Sequence, residues 1–396
     1  MTTHMSELGV DASVDVLIVG GGPGGLVAAE RLACRGAGVL LCEEHSTIGD
    51  PVHCTGILAA ESFEEFDLPR EATLNALTSA RFVSPSGRTV TYSTPAPLAT
   101  VIDRPAFDRA LSERASGAGA ALRTGVRVSE VEIDSSGVCA LVGESWVRAR
   151  LLVLACGANY AIQRRLGLGL PRAYLHTAQR EFPAMRRPEL ELHFGRSVAP
   201  DGFAWAVPVT RGGDPYVRVG VMTSNDVLGC YARMLARVAE RWGIVDDTLP
   251  PRQKLLPLGT IARTYGDRLL VVGDAAGLVK PTTGGGIYYS ILSGALAAEI
   301  GLDALEHNQL DAASLAAYEQ AWRHQLADEF DAQHALRAVA SRLSDDDIDE
   351  LFDLARTDGI MPIVRKTVRF NRHRDLIQAL FRHAPARKLL FRSFAL

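Results

Sequence analysis

The sequence predicts an α/β fold: a parallel-sheet domain, an inserted mixed β-sheet lobe and a helical carboxyl-terminal region. Three observations predict it. An apolar, β-branched run near the start leads straight into a glycine-rich turn. A second apolar run, near residue 270, leads into another turn of small residues and then a long apolar helix. Between them lie short alternating segments of strand type, separated by turn residues.

The first run is Val14-Asp15-Val16-Leu17-Ile18-Val19, which reads as a buried parallel strand. It enters Gly20-Gly21-Gly22-Pro23-Gly24-Gly25, and the pattern G-x-G-x-x-G falls on Gly20, Gly22 and Gly25. Gly20 permits the tight turn, Gly22 lets a pyrophosphate approach the backbone, and Gly25 lets the next helix pack close to the strand. That helix spans Gly24 to about Arg35, with Pro23 at its entrance. Its free N–H groups and positive dipole end suit phosphates. A second strand, Val39-Leu40-Leu41-Cys42-Glu43, ends in an acid 18 positions after Gly25. A carboxylate there accepts hydrogen bonds from the ribose hydroxyls of an adenosine. Strand, glycines, helix, strand and acid together specify a Rossmann-like dinucleotide site, where a lone glycine motif would not.

The glycine turn does not choose between NAD and FAD; the second turn does. Leu269-Leu270-Val271-Val272 is a buried strand, followed by Gly273-Asp274-Ala275-Ala276 and then Pro281-Thr282-Thr283-Gly284-Gly285-Gly286-Ile287. Small residues stand wherever a ligand must lie against backbone. Asp274 suits a ribityl hydroxyl of FAD. Gly284, Gly285 and Gly286 open a helix reaching about Glu306, whose amides suit the flavin pyrimidine edge. That edge gains negative charge on reduction, so N–H groups and a helix dipole stabilise the reduced flavin. The expected cofactor is therefore FAD, held in a Rossmann-like FAD-binding domain.

Composition excludes several other classes. The chain has 396 residues, 42 Lys and Arg against 46 Asp and Glu, and a net charge of −4, which argues against a nucleic-acid binder. Its six cysteines (Cys34, Cys42, Cys54, Cys139, Cys156, Cys230) form no C-x-x-C pair, so no zinc ribbon or thioredoxin motif is expected and no metal is predicted. They read as reduced thiols of a cytoplasmic protein. Met1 to Asp11 is polar without a signal-peptide pattern. The longest uncharged stretch, 281–298, opens on Pro-Thr-Thr and three glycines, so its apolar part is too short to cross a bilayer.

The glycine turn at 20–25 and Gly273-Asp274-Ala275-Ala276 resemble those of p-hydroxybenzoate-hydroxylase-like flavoproteins. Three features look like the geranylgeranyl reductase family within them. They are Pro51-Val52-His53-Cys54-Thr55-Gly56-Ile57, Gly202-Phe203-Ala204-Trp205-Ala206-Val207-Pro208 (similar to the family's Y-x-W-x-F-P), and Lys280-Pro281-Thr282-Thr283-Gly284-Gly285-Gly286-Ile287. Asp103-Arg104-Pro105-Ala106-Phe107-Asp108 and a helical third beginning near Tyr318 support them, so the likeness covers about residues 14–345. The resemblance implies FAD contacts from Cys54, Thr55, Gly56, Arg104 and Val126, besides the two turns. It also implies substrate contacts from Phe203, Trp205 and Pro208; read as a bare aromatic, Trp205 is equally a core residue. Phe203, Val207 and Met222 depart from the family pattern, which bears on the substrate more than on the flavin. Cys156-Gly157-Ala158 lacks the Asp that related hydroxylases carry there.

This assigns residues 1–79, 101–169 and 266–310 to a discontinuous FAD-binding domain. Residues 80–100 and 170–265 form a substrate lobe, built from a hairpin turning on Ser84-Pro85-Ser86-Gly87 and from strands near 190–194, 203–209 and 216–222. Residues 311–396 form a helical carboxyl-terminal region. From Met361 onward nine basic side chains face one acid, Asp375, a local net charge of +8. Ile377, Leu380, Phe381 and Ala384 share one helical face. The segment is either a lid on the acidic body or a peripheral contact with an anionic membrane.

By the family's chemistry, the enzyme saturates isolated double bonds of a hydrophobic polyprenyl chain. Flavin N5 gives the hydride and Cys54 is the candidate proton source. The bland reading of Cys54 is a small apolar filler under the flavin. The external reductant, NAD(P)H or a ferredoxin, has no legible signature. Two alternatives stay open: an FAD-dependent monooxygenase or halogenase acting on a hydrophobic or aromatic substrate, and a prenyl-lipid carrier without turnover.

Overall fold

The computed structural model describes residues 12–245, 249–357 and 359–392. The polar amino terminus, 1–11, lies outside them. Ala12–Val19 is the central strand of an eight-stranded sheet. It pairs in parallel with Val39–Glu43 on one side and Ser145–Leu154 on the other. Ala121–Thr124 extends one side and Leu269–Val271 the other, again in parallel. The inward residues Val16, Leu17 and Ile18 are wholly buried, as expected for a strand covered on both faces. Because the chain runs outward in both directions from Ala12–Val19, a crevice opens beyond its carboxyl end, where doubly wound sheets bind ligands.

Two helices close one face. Pro23–Cys34 starts at Pro23, one residue earlier than the sequence suggests, since a proline at the first position loses no helical hydrogen bond. Ile287–Glu306 packs along it. Their contact is set by glycine: a Cβ at Gly294 would stand 2.1 Å from Gly24 O.

The inserted lobe is a seven-stranded mixed sheet ordered Arg252–Leu258, Ala173–Pro183, Asp214–Thr223, Phe203–Arg211, Glu191–His193, Ser79–Val83 and Thr89–Ser93. All its pairs are antiparallel except Glu191–His193 with Ser79–Val83. The amphipathic helix Val227–Trp242 covers one face. A three-stranded sheet of Ile57–Ala59, Ala99–Ile102 and Thr73–Leu77 lies between lobe and domain. Its strands have only three to five residues and carry no alternation strong enough to read from sequence.

The carboxyl-terminal region is helical: Ala312–Ala340, Asp345–Thr357, Ile360–Thr367, Arg374–Arg382 and Ala384–Leu390. One expectation is corrected here. Ala384 does not share a helix with Ile377, Leu380 and Phe381, because the chain turns extended at His383. Pro385 has no N–H to donate back, and in a continuing helix its ring would meet the carbonyl four residues earlier. Ile377 is buried, and Leu380 and Phe381 pack on a cluster with Val339, Leu343, Ile360 and Leu390. The apolar residues therefore face the protein, while the basic side chains of residues 365–392 are exposed. Among the described residues no helix is long and apolar enough to cross a membrane.

Candidate functional site

A cavity of about 610 Å³ opens at the crevice beyond the central strand. Gly20, Gly22, Glu43, Cys54, Arg104 and Val126, all expected at the cofactor, line it. Gly20 has φ +111°, and a Cβ there would stand 2.3 Å from Ala155 O, so only glycine makes this turn. A Cβ at Gly22 would meet nothing within 4 Å, which leaves its backbone open to a ligand. Pro23, Gly24 and Gly25 are buried instead: Gly25 packs against Gly20 O and Gly24 against Ser290. Glu43 is fixed at its strand end, where its carboxylate accepts from Gly21 N (2.7 Å) and His45 N (3.0 Å). An open glycine turn with a carboxylate at the next strand end fits the phosphates and ribose of an adenine dinucleotide.

Cys54 lies in the loop after the second strand. Its Sγ accepts from Gly56 N at 3.3 Å, and the Arg104 guanidinium stands near enough to feel the sulfur. Asp103 caps the Arg104–Gly117 helix by accepting from Ala106 N, which sets Arg104 on the first turn with its side chain toward the loop. Arg104 forms a bidentate pair with Asp108, at 2.7 and 3.3 Å, one helical turn on. Both are buried. Burial opposes the charge of Arg104, but the paired Asp108 carboxylate and the Cys54 sulfur raise its pKa, so it stays charged. Burial pushes the Asp108 carboxyl up against the pull of Arg104.

Behind the loop stands a polar hub that the sequence reading missed. Gln179 donates to Cys54 O (3.1 Å) and accepts from Thr55 Oγ1 (2.8 Å) and Trp205 Nε1 (3.1 Å). Arg218 donates to Thr55 O (2.6 Å) and Glu181 (2.7 Å), and a Cβ at Gly56 would stand 2.7 Å from its Nη1. Thr55 and Gly56 thus anchor the cysteine loop to the lobe. Trp205 is 8% exposed, and its ring lies over Gly220. Phe203 is half-buried, 5.7 Å from Trp205 between ring centroids. Phe203 and Trp205 share a strand face, whereas Pro208, at odd spacing on a regularly paired strand, falls on the other. The structure does not bring Pro208 together with them.

The second turn is not part of the cavity's lining, but Lys254, which lines it, reaches the turn. Asp274 Oδ2 lies 3.4 Å from Lys254 Nζ, and a Cβ at Gly286 would stand 2.8 Å from Asp274 Oδ1. Gly284 has φ +72° and abuts Leu256 and Met222, so Met222 fills space beside the turn where the family pattern has a glycine. Gly285 completes the turn, and Ile287, buried, begins the helix. His53, on the cavity wall, has its pKa lowered by burial and by Lys254, Arg252 and His45. Burial likewise pushes the Cys156 thiol up to about 12. Asp108 was visible as an (i, i+4) partner of Arg104, but no spacing marks Gln179, Arg218 or Lys254, which converge from separate strands.

The FAD binding domain family matches residues 13–188. A digeranylgeranylglycerophospholipid reductase of Methanocaldococcus jannaschii is 32% identical over 354 residues, covering 85% of this chain and 89% of its own. The chain belongs to the geranylgeranyl reductase family. A second digeranylgeranylglycerophospholipid reductase, from Methanosphaerula palustris, is 28% identical across 95% of this chain and 96% of its own. The crystal structure of a geranylgeranyl bacteriochlorophyll reductase-like protein from Thermoplasma acidophilum matches the fold with a TM-score of 0.84. It is 24% identical and covers 97% of this chain and 99% of its own. Like its family, this reductase is an FAD-dependent oxidoreductase.

Proposed function

We propose that this reductase saturates isolated carbon–carbon double bonds of a polyprenyl chain of the geranylgeranyl type. The observation that carries the reading is Cys54: a thiol on the cavity wall that it shares with Arg104, held by Gly56 N–H, in a member of a prenyl-reducing family. Bound FAD supplies hydride from its reduced ring. An isolated alkene has no carbonyl to take up developing charge, so the protein must offer a proton opposite the hydride. Cys54 Sγ holds that proton. The Gly56 amide orients the sulfur, and the Gln179 hub holds the loop carbonyl. Gly20, Gly22, Glu43, Arg104 and Val126 would hold the adenosine and pyrophosphate side, and Asp274 and 284–287 would hold the ribityl and ring side. Phe203 and Trp205 form an aromatic wall of the lobe formed by 80–100 and 170–265. The exposed basic face of residues 365–392 meets an anionic lipid surface through charge alone, since its apolar residues are packed inward.

The test is anaerobic. FAD-loaded protein is reduced with dithionite, and geranylgeranyl diphosphate or a geranylgeranylated glycerophospholipid is added. Flavin reoxidation with a gain of two hydrogens per double bond by mass spectrometry is expected. A flavin that stays reduced until air enters, followed by an oxygenated or halogenated product, overturns the reading.

A further inference from the structure

Lys280 opens the turn that the sequence singles out, yet the reading above gives it no task. Its backbone closes the turn from both sides: Lys280 N donates to Gly285 O (3.2 Å), and Gly284 N donates to Lys280 O (2.9 Å). Its side chain then runs beneath the turn, with Cδ and Cε 3.5 and 3.7 Å from the point a Gly285 Cβ would occupy. The residue is 3% exposed. Its Nζ donates to Phe370 O (2.6 Å) and Asn371 Oδ1 (3.1 Å), and lies 4.4 Å from the Phe370 ring centroid. Among the described residues no carboxylate forms an ion pair with it. The hydrogen-bond partners are neutral, and Glu329 and Glu61 act on the charge only from beyond ion-pair distance, so the buried ammonium is costly, and a methionine could fill the same space without that cost. Local contacts do not balance the charge, and the turn above it is the one read as the contact for the flavin's pyrimidine edge, which would gain negative charge on reduction.

We propose that the Lys280 ammonium, lodged beneath the Gly284–Gly285–Gly286 turn, is a positioning residue whose charge balances the negative charge of the reduced flavin and so raises its potential. The inference rests on the reading of 284–287 as the ring-side contact. The groups facing Lys280 can be named. Glu329 comes from the Ala312–Ala340 helix, Glu61 from the segment before Ser62–Glu65, and His373 from the carboxyl-terminal segment. Tyr289, on the Ile287–Glu306 helix, donates to Asn371 O. Burial pushes the pKa of Lys280 down to about 7, against the opposing pull of Glu329 and Glu61. His373 is pushed down to about 4 by burial and by Lys280 itself, and Tyr289 is raised by burial, so of these three Lys280 titrates nearest neutrality. Two electrons enter the flavin with one proton at N5. The added negative charge raises the affinity of Lys280 for a proton, which it takes from solvent on reduction and returns on reoxidation. Above about pH 7 each two-electron reduction thus takes up two protons instead of one, and the potential falls twice as steeply with pH.

The test is a dithionite titration of FAD-loaded protein against dyes of known potential, from about pH 6 to about pH 9, with no prenyl substrate present. In the native protein a break to the steeper slope is expected near pH 7. Lys280→Met is expected to lower the potential and lose the break. Lys280→Arg is expected to keep the high potential below the break but also lose it, because a guanidinium stays charged throughout. An unchanged potential in Lys280→Met overturns the proposal. Should that variant fail to hold FAD, a break that persists in Lys280→Arg overturns it instead. Thr283→Asp, which sets a carboxylate on the exposed side of the turn, separates the two readings. If it lowers the potential and Lys280→Met does not, the proposal fails alone; if neither moves it, the ring-side assignment of the turn fails with it. Because no substrate is used, a failure to reduce prenyl chains leaves this result standing.

Discussion

Asp108 keeps a buried positive charge beside the candidate proton donor. It holds Arg104 by two hydrogen bonds, and Arg104 lines the same cavity wall as the Cys54 sulfur. Asp108→Asn is nearly isosteric but removes the carboxylate, so Arg104 is left buried without a counter-ion, at a cost of about 3–5 kcal/mol. The expected outcome is a thermal unfolding midpoint well below that of the native protein. A second substitution tests the chemistry. Cys54→Ser keeps an O–H in place of the S–H but is a far weaker acid, so anaerobic prenyl reduction should slow by roughly 10²–10⁴-fold while dithionite still reduces the flavin. Full turnover in Cys54→Ser would remove the acid role. At this scale the sequence was half legible. Asp103, Arg104 and Asp108 sit within one helical turn, so local spacing exposes them. Gln179 reaches the same loop from a strand more than a hundred residues away, through contacts that exist only once two sheets have packed.

Elements were more legible, because their signals are local. A β-branched run, glycines at fixed offsets and a proline at a helix start each act over a few residues, and the strands and helices around the first turn fall where those signals put them. The three-stranded sheet was not legible, since strands this short draw their stability from neighbours rather than from alternation. Packing between the two central helices yields a prediction of its own. At Gly294 a Cβ would stand 2.1 Å from Gly24 O, a backbone atom that cannot rotate away. Gly294→Ala therefore forces the Ile287–Glu306 helix outward and with it the first turn of Pro23–Cys34. Overpacking of this kind costs about 1–3 kcal/mol. A lowered melting temperature with faster FAD loss on dilution is expected, while an unchanged melting temperature would mean the helices slide apart freely.

Over the whole molecule, the carboxyl-terminal region is fastened to the second glycine-rich turn by a buried polar chain. Glu329 accepts from the backbone N–H groups of His373 and Arg374 and from Gln333 Nε2. Thr282, on the turn, lies 2.9 Å from Gln333 Oε1 and 2.8 Å from His373 Nδ1, while His373 Nε2 donates to Phe370 O. Asn371 reaches across to Ser62. Burial first, and the charge of Lys280 second, push the pKa of His373 down to about 4, against roughly 6.5 when unfolded. The sign follows directly: between those values the unfolded chain binds a proton that the folded chain refuses, so stability rises with pH across the window and is lost as pH falls through it. One such proton contributes at most about 1.4 kcal/mol per pH unit. Carboxylates also titrate near the acid end, so the difference between variants is the measurement. His373→Gln keeps a polar side chain without the titration, and its melting temperature should fall less than that of the native protein between about pH 6.5 and about pH 4. Parallel curves for the two proteins would mean that His373 accepts its proton without releasing the clamp. A converging pair would instead make the carboxyl-terminal region the part of the fold that acid detaches first, and with it the contacts that hold Lys280 under the turn.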